Sequence, residues 1–301
     1  MNRLTWIPGL LAAALLVAGC SVKRMGLERM ADAVSATASA YGRDNDPEFV
    51  RLGAPATLKM AEMLLDQAPR HPGLLLIACS GFTQYSYAFL QVDAELLAPA
   101  NPGEARTLRG RASRMYERAR DYCLRGLEIS LPGIRASLLS GKTDALGAAA
   151  AGDVPLLYWT AAAWGGTLAV ANLALLRTGE ISAIRALLER ALALDPSWQA
   201  GVLHELMIGV EGLPSTFGGS PQRARAHFDR AVALSNGESA FPYVTLATSV
   251  SEPAEIERLL KAALAVDVGK RPEIRLANLI AQKRARFLLS RRGRPSAPAV
   301  H

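Results

Sequence analysis

Beyond residue 25, apolar side chains recur mostly three and four positions apart, the helical period. Ala and Leu dominate, and both are strong helix formers. Runs of β-branched residues are nearly absent. The longest strand-like stretch is Tyr243-Val244-Thr245-Leu246, and Pro242 before it equally suits the first turn of a helix. The pattern predicts helices near 26–41, 54–68, 73–91, 104–130, 153–177, 180–194, 197–211, 221–235, 241–250, 254–266 and 272–290. Pro/Gly-rich punctuation separates them at 69–72, 99–103 and 212–221. Residues 132–152 read as a surface loop with one short helix.

Several helices share a spacing. A small residue is followed four on by a large one, three further by Ala, and five further by a stop. This is the tetratricopeptide pattern, in which small residues let two helices approach and the large one fills the next groove. Ala224, Phe228, Ala231 and Asn236 fit it. So do Ile184, Leu188, Ala191 and Pro196, with a larger first residue. Ile256, Leu260, Ala263 and Val268, and Met60, Leu64, Gln67 and Pro72, fit more loosely. The expected fold is all-α, helical hairpins stacked as a degenerate tetratricopeptide-like solenoid or bundle in one domain over 26–290. A non-repeating helical bundle is the alternative.

Composition excludes other classes. Of 301 residues, 50% are hydrophobic, too many for a disordered chain. Three cysteines are too few for a disulfide scaffold. The start is distinctive: Arg3 is the only charge before Lys23, and Leu4 to Ala18 is an almost unbroken apolar run, short for a membrane span. It ends in Val17-Ala18-Gly19-Cys20, which resembles the bacterial lipobox. Residues 1–19 are then a signal peptide, Cys20 the acylated first residue and the lipid anchor, and 20–25 a tether. The net charge of +7 is unevenly placed. Ten basic and two acidic residues lie from Lys261 onward, against 24 and 25 before it. Arg284, Arg286, Arg291 and Arg292 form the candidate basic face for an anionic partner or headgroups, with 291–301 as a Pro/Ala tail. A solvated last helix explains the same charges and is favoured. An exported lipoprotein gives no reason to expect nucleic acid.

Candidate binding residues are aromatic. Asp153 can cap the helix it precedes, and Pro155 suits its first turn. Tyr158, Trp159 and Trp164 follow, as core or as the wall of an apolar ligand site; core is favoured. Tyr85, Tyr87 and Phe89 spread around their helix, so that at least one faces a cavity or partner. Cys79 and Cys123 would be permitted a disulfide by an oxidising compartment, but the apolar run around Cys79 favours a free, buried thiol. Enzymatic signals are weak. Ala136 to Thr143 fits a loose phosphate-loop pattern with no strand before it, and is read as coincidence. His204-Glu205 opens a zinc-protease motif that Ile208 breaks. No catalytic residue, metal site or cofactor is expected.

Four stretches resemble the lipoproteins associated with tripartite ATP-independent periplasmic (TRAP) transporters, which carry cryptic tetratricopeptide repeats. They are Ala105 to Leu127 with Arg111-Ala112 and Met115 to Arg120, Asp153 to Gly165, Gly218-Gly219-Ser220-Pro221 with Ala224, Phe228, Arg230 and Ala231, and Arg275 to Gln282 with Arg284-Ala285-Arg286. The Trp159/Trp164 stretch is the most specific. The resemblance implies an all-helical fold, a trimer, and a periplasmic role beside a TRAP substrate-binding protein. The expected function is a non-enzymatic, lipid-anchored accessory that docks that protein, holds a small, partly apolar solute, or both. The alternative is a scaffold for envelope assembly with no small-molecule ligand.

Overall fold

The computed structural model describes residues 29, 40–171 and 178–292; Cys20, the tether, most of the 26–41 helix and the tail from 293 lie outside them. Helices pack on helices, and there is no strand among the described residues.

Local chemistry sets the helix starts. Asp46 accepts hydrogen bonds from the amides of Glu48 and Phe49 at 3.0 and 3.1 Å, and Pro47 opens α1 (Pro47–Gln67). This start lies seven residues before the expected one, and the helix carries Pro55 on an exposed position. Pro72, expected as a stop, instead begins α2 (Pro72–Leu97), with the His71 ring accepting from the Leu74 amide at 3.3 Å. α2 runs six residues past its predicted end through a π-helical turn, Tyr87–Gln91. By length and composition α2 is apolar enough to cross a membrane, but it is packed among α1 and the helices over 102–130 and 154–170 as a core helix. Asn101 caps α3 (Pro102–Ser130).

The stretch expected as a surface loop with one short helix is mostly exposed and carries one short α-helix, but it also anchors itself in the core. α4 (Ile134–Leu139) and two 3-10 turns bury Leu131, Ile134, Leu138, Leu146 and Ala149 against α5 (Val154–Val170) and α6 (Thr178–Leu194). α5 ends before the predicted 177, and 172–177 lie outside the described residues. The predicted helix at 197–211 is broken. Gln199, Ala200 and Gly201 all have positive φ, so α7 (Val202–Glu211) begins after them. Gly201 meets two demands there: φ is +97°, and a Cβ would lie 3.3 Å from the Ala231 Cα.

α8 (Pro221–Leu234), α9 (Phe241–Ala247), α10 (Pro253–Ala265) and α11 (Arg275–Arg292) form the second half. The repeat spacing corresponds to burial here: Ala224, Phe228 and Ala231 are buried, and Asn236 and Gly237 end the helix with positive φ. Ile184, Leu188 and Ala191 are buried on α6 as well, and Leu260 and Ala263 on α10. The quartet on α1 does not follow, since Met60 and Gln67 are exposed.

α11 packs on α9 and α10 and then returns to α1 and the end of α2. Ile280 joins Val50, Ala88, Phe89 and Val92 in one cluster. Lys283 reaches Asp93 at 2.9 Å, and Arg275 donates to the Arg43 carbonyl at 3.1 Å. The stack therefore closes on itself as a bundle. Cys79 and Cys123 are joined in a disulfide between α2 and α3, Cα atoms 4.8 Å apart. The favoured free thiol is thus corrected: both cysteines are buried, but facing each other.

Candidate functional site

The aromatic residues of α5 divide into two environments. Trp164 is 2% exposed, donates its ring N–H to Glu180 at 3.2 Å, and lies under the Arg120 guanidinium. It is core, with its polar atom satisfied. Tyr158 and Trp159 are only half-buried, with rings 4.8 Å apart and edge-on. Trp198, on the 3-10 turn before α7, brings its ring within 5.1 Å of Tyr158. Asp153 does not cap α5 with its side chain. Its carboxylate reaches back to the Ala150 amide at 2.8 Å and accepts from Ser130 Oγ at 2.5 Å, fixing the approach to the helix instead.

Glu205 on α7 completes this place. Burial pushes its carboxyl up to about 7, against the Ser239 hydrogen bond and the Arg271 charge, which both pull it down. Burial, then the charge of Glu205, pushes the Tyr158 hydroxyl up in turn. The place therefore joins three rings, Tyr158, Trp159 and Trp198, with one carboxyl whose charged form burial disfavours. Such a surface suits an apolar solute with a single polar group. Sequence reasoning missed Trp198 and Glu205. The one signal is an acid beside His204 in the mostly apolar run Val202 to Val210, which the sequence presents only as a broken zinc motif.

The second aromatic group lies elsewhere, at and just before the π turn of α2. Tyr85 packs on Phe89 at 5.4 Å, and Tyr87 on Phe241 at 5.2 Å. Burial raises Tyr87, and Arg284 pulls it back through its charge and a hydrogen bond. Arg284 is held by Glu95 at 2.7 Å; burial opposes its charge, but Tyr87 and Glu95 outweigh that and raise it. Next to them Tyr116 donates to Gln91 at 2.6 Å, and burial lifts its hydroxyl well up. Tyr87 and Arg284, expected in separate roles, are partners in one internal polar cluster between α2, α3 and α11.

The arginines of the candidate basic face are placed differently from one another. Arg284 is committed within the fold and is not available to a partner. Arg286 and Arg291 are exposed, Arg291 stacking on Phe287. Arg292 ends α11, and its side chain lies outside the described residues.

Other singled-out residues build the frame. Glu211 is 1% exposed and is clamped between Arg185 and Arg223, both of which also donate to the Gly218 carbonyl. Gly219 has no room for a side chain, since a Cβ would sit 1.7 Å from the Leu213 carbonyl oxygen. The Gly218-Gly219-Ser220-Pro221 stretch is therefore a tight entry to α8, with Ser220 as its cap. Asn278 holds Glu238 and Ala240, and Gln282 donates to the carbonyls that end α10. The phosphate-loop-like segment is the C-terminal end of the six-residue α4, turned at Gly141 with φ +78°. His204 and His227 share a 2.8 Å contact between ring nitrogens, and burial lowers both. Among the described residues no three metal-ligating side chains converge.

With this geometry in hand, two comparisons are informative. The chain matches the family described as "TRAP transporter T-component" over residues 43–294, a range that takes in α1 through α11. A protein of Treponema pallidum (strain Nichols), described as uncharacterized, is 29% identical over 301 aligned residues, covering 92% of this chain and 93% of that one.

Proposed function

We propose a function from the premise that this chain belongs to the TRAP transporter T-component family. It is a component of a TRAP transport system. In our reading it is a non-enzymatic accessory, anchored at the envelope through acylated Cys20, that docks the periplasmic substrate-binding protein. There it holds a small, partly apolar solute at Tyr158, Trp159, Trp198 and Glu205, and it works as a homo-oligomer.

The observation that carries the transport reading is the family match across every packed helix from α1 to α11. The solute reading is supported by the half-buried rings of Tyr158 and Trp159 beside a carboxyl whose charge is costly where it sits. An apolar molecule with one hydrogen-bonding group would cover both. The anchor reading is supported by Val17-Ala18-Gly19-Cys20. No observation favours the scaffold without a ligand.

The test is a gentle detergent extraction of the full-length chain from its native membrane, followed by mass spectrometry of what accompanies it. The expected result is a TRAP substrate-binding protein, together with a small molecule that is lost in Trp159→Ala. Extraction without any substrate-binding protein overturns the docking reading. A small-molecule content unchanged by Trp159→Ala and Glu205→Gln overturns the solute site.

A further inference from the structure

The exposed large hydrophobic side chains of this protein are gathered on one helix. Among the described residues they are Phe49, Leu52, Met60 and Met63 on α1, and Leu139 on α4. Phe49 is 66% exposed, Leu52 78%, Met60 46% and Met63 62%. At ~100° per residue these four, with the exposed Ala56 between them, fall within about 80° of the helix circumference. They run about 21 Å along it at ~1.5 Å per residue. No charged residue of α1 falls inside this stripe. The other side of α1 is core, where Val50, Leu58, Ala61, Leu64 and Leu65 are buried.

The stripe reads the same from either end. Phe49 and Met63 each lie seven residues from Ala56, and Leu52 and Met60 each lie four. That order suits two antiparallel helices crossing on a two-fold axis. A small residue at the crossing lets the axes approach, and the large ones to either side interdigitate. Area points the same way. Taking ~200 Å² for a side chain of this size, the exposed parts of the four amount to roughly 500 Å² per copy, so a pair buries on the order of 1,000 Å² from them alone, the lower limit of a stable interface. A bilayer has no use for a spacing symmetric about one alanine. A helix that lies in a bilayer surface also turns a polar, cation-rich face to water, and here the other side of α1 is core.

We propose that the α1 stripe is a self-docking surface, on which a second copy of this chain packs its own α1 in the antiparallel sense. Ala56 meets the partner's Ala56, Leu52 meets the partner's Met60, and Phe49 meets the partner's Met63. Each Phe49 ring then gains a methionine sulfur, a favourable contact beyond the area it buries. The inference rests on the reading above that the protein works as a homo-oligomer, and it gives that oligomer a surface and a symmetry. A two-fold face joins copies in twos, so the assembly is even-numbered and differs from the trimer that the resemblance implies.

The test is cysteine cross-linking of the full-length chain in its native membrane. Cys20 is acylated in our reading, and Cys79 and Cys123 are joined, so an introduced thiol has no competitor. On mild oxidation Ala56→Cys is expected to give a covalent dimer, and Leu139→Cys to stay monomeric. Phe49→Cys and Met63→Cys are expected to give no dimer when expressed apart, and a mixed dimer when expressed together. Light scattering of the detergent-purified chain forms a second arm. Wild type is expected at an even number of chains, and Leu52→Glu with Met60→Glu at half that mass with unchanged helicity. If the double variant does not fold, the cross-linking arm decides. A chain that is monomeric in both arms overturns the surface and the homo-oligomer reading together. An oligomer that cross-links at no α1 position and keeps its mass in the double variant overturns the surface alone. A wild-type trimer, or Phe49→Cys dimers with itself, overturns the two-fold pairing. If Ala56→Cys stays monomeric, its shielding from a water-soluble maleimide names the true occupant. Shielding lost on detergent extraction assigns the stripe to the bilayer, and shielding kept assigns it to another part of this chain; the proposal fails in either case.

Discussion

Glu205→Gln keeps the shape of the side chain and removes its titration. In the fold, burial holds the Glu205 carboxyl at about 7 instead of 4.5, and Ser239 and Arg271 offset only part of that. Between those two values the native protein binds more protons than the unfolded chain. Stability from this group is therefore complete below about 4.5 and is lost as pH rises through about 7. At about 1.4 kcal/mol per pH unit, the loss reaches about 3 kcal/mol as an upper figure, because the half-buried group keeps some water. Glutamine has no such loss. The variant is expected to match wild type near pH 4.5 and to exceed it by up to about 3 kcal/mol near pH 8. Urea unfolding at about pH 4.5, 6 and 8 measures both proteins. The half-buried His204, lowered to about 4, titrates in both and cancels in the difference. Stability curves that run parallel across pH, or a variant weaker than wild type at pH 8, would refute the reasoning.

Cys79→Ser is expected to lose about 4 kcal/mol in the same assay, because the disulfide closes a long loop in the unfolded chain (44 residues of separation). Trp164→Ala should cost about 3–5 kcal/mol, as a buried aromatic, while solute retention per folded molecule stays at the wild-type level. Trp159→Ala should show the opposite balance, with solute lost and a smaller drop in melting temperature. Mass spectrometry of membrane-extracted protein should find acylated Cys20 as the first residue, and Cys20→Ala should release the protein from the membrane or stall its processing.

Periodicity made the second half of the fold legible. Ala224, Phe228 and Ala231 fall on one helical face, so burying that face needs nothing beyond the sequence around it. Features decided by distant contacts were not legible. The π turn at Tyr87–Gln91 sits between α3 and α11, and the closure of α11 onto α1 and α2 joins residues nearly 200 positions apart. Arg284 reads as a surface cation on a basic helix until Glu95 is seen opposite it. Cys79 looked like a small buried hydrophobe because nothing local shows Cys123 facing it. At the candidate site, Tyr158 and Trp159 were found from their rarity and order. Trp198 and Glu205 were not, because a break in the helix at Gln199 to Gly201 places them, and positive φ at Gln199 and Ala200 has no clear sequence signature.

The central claim is that this chain works with a TRAP substrate-binding protein. Titration of the purified full-length chain with that protein, by isothermal calorimetry with and without the protein's bound solute, tests it most directly. The account predicts saturable binding whose affinity changes when the solute is present, because both proteins have a use for it. Heats that never rise above dilution in either state would contradict it.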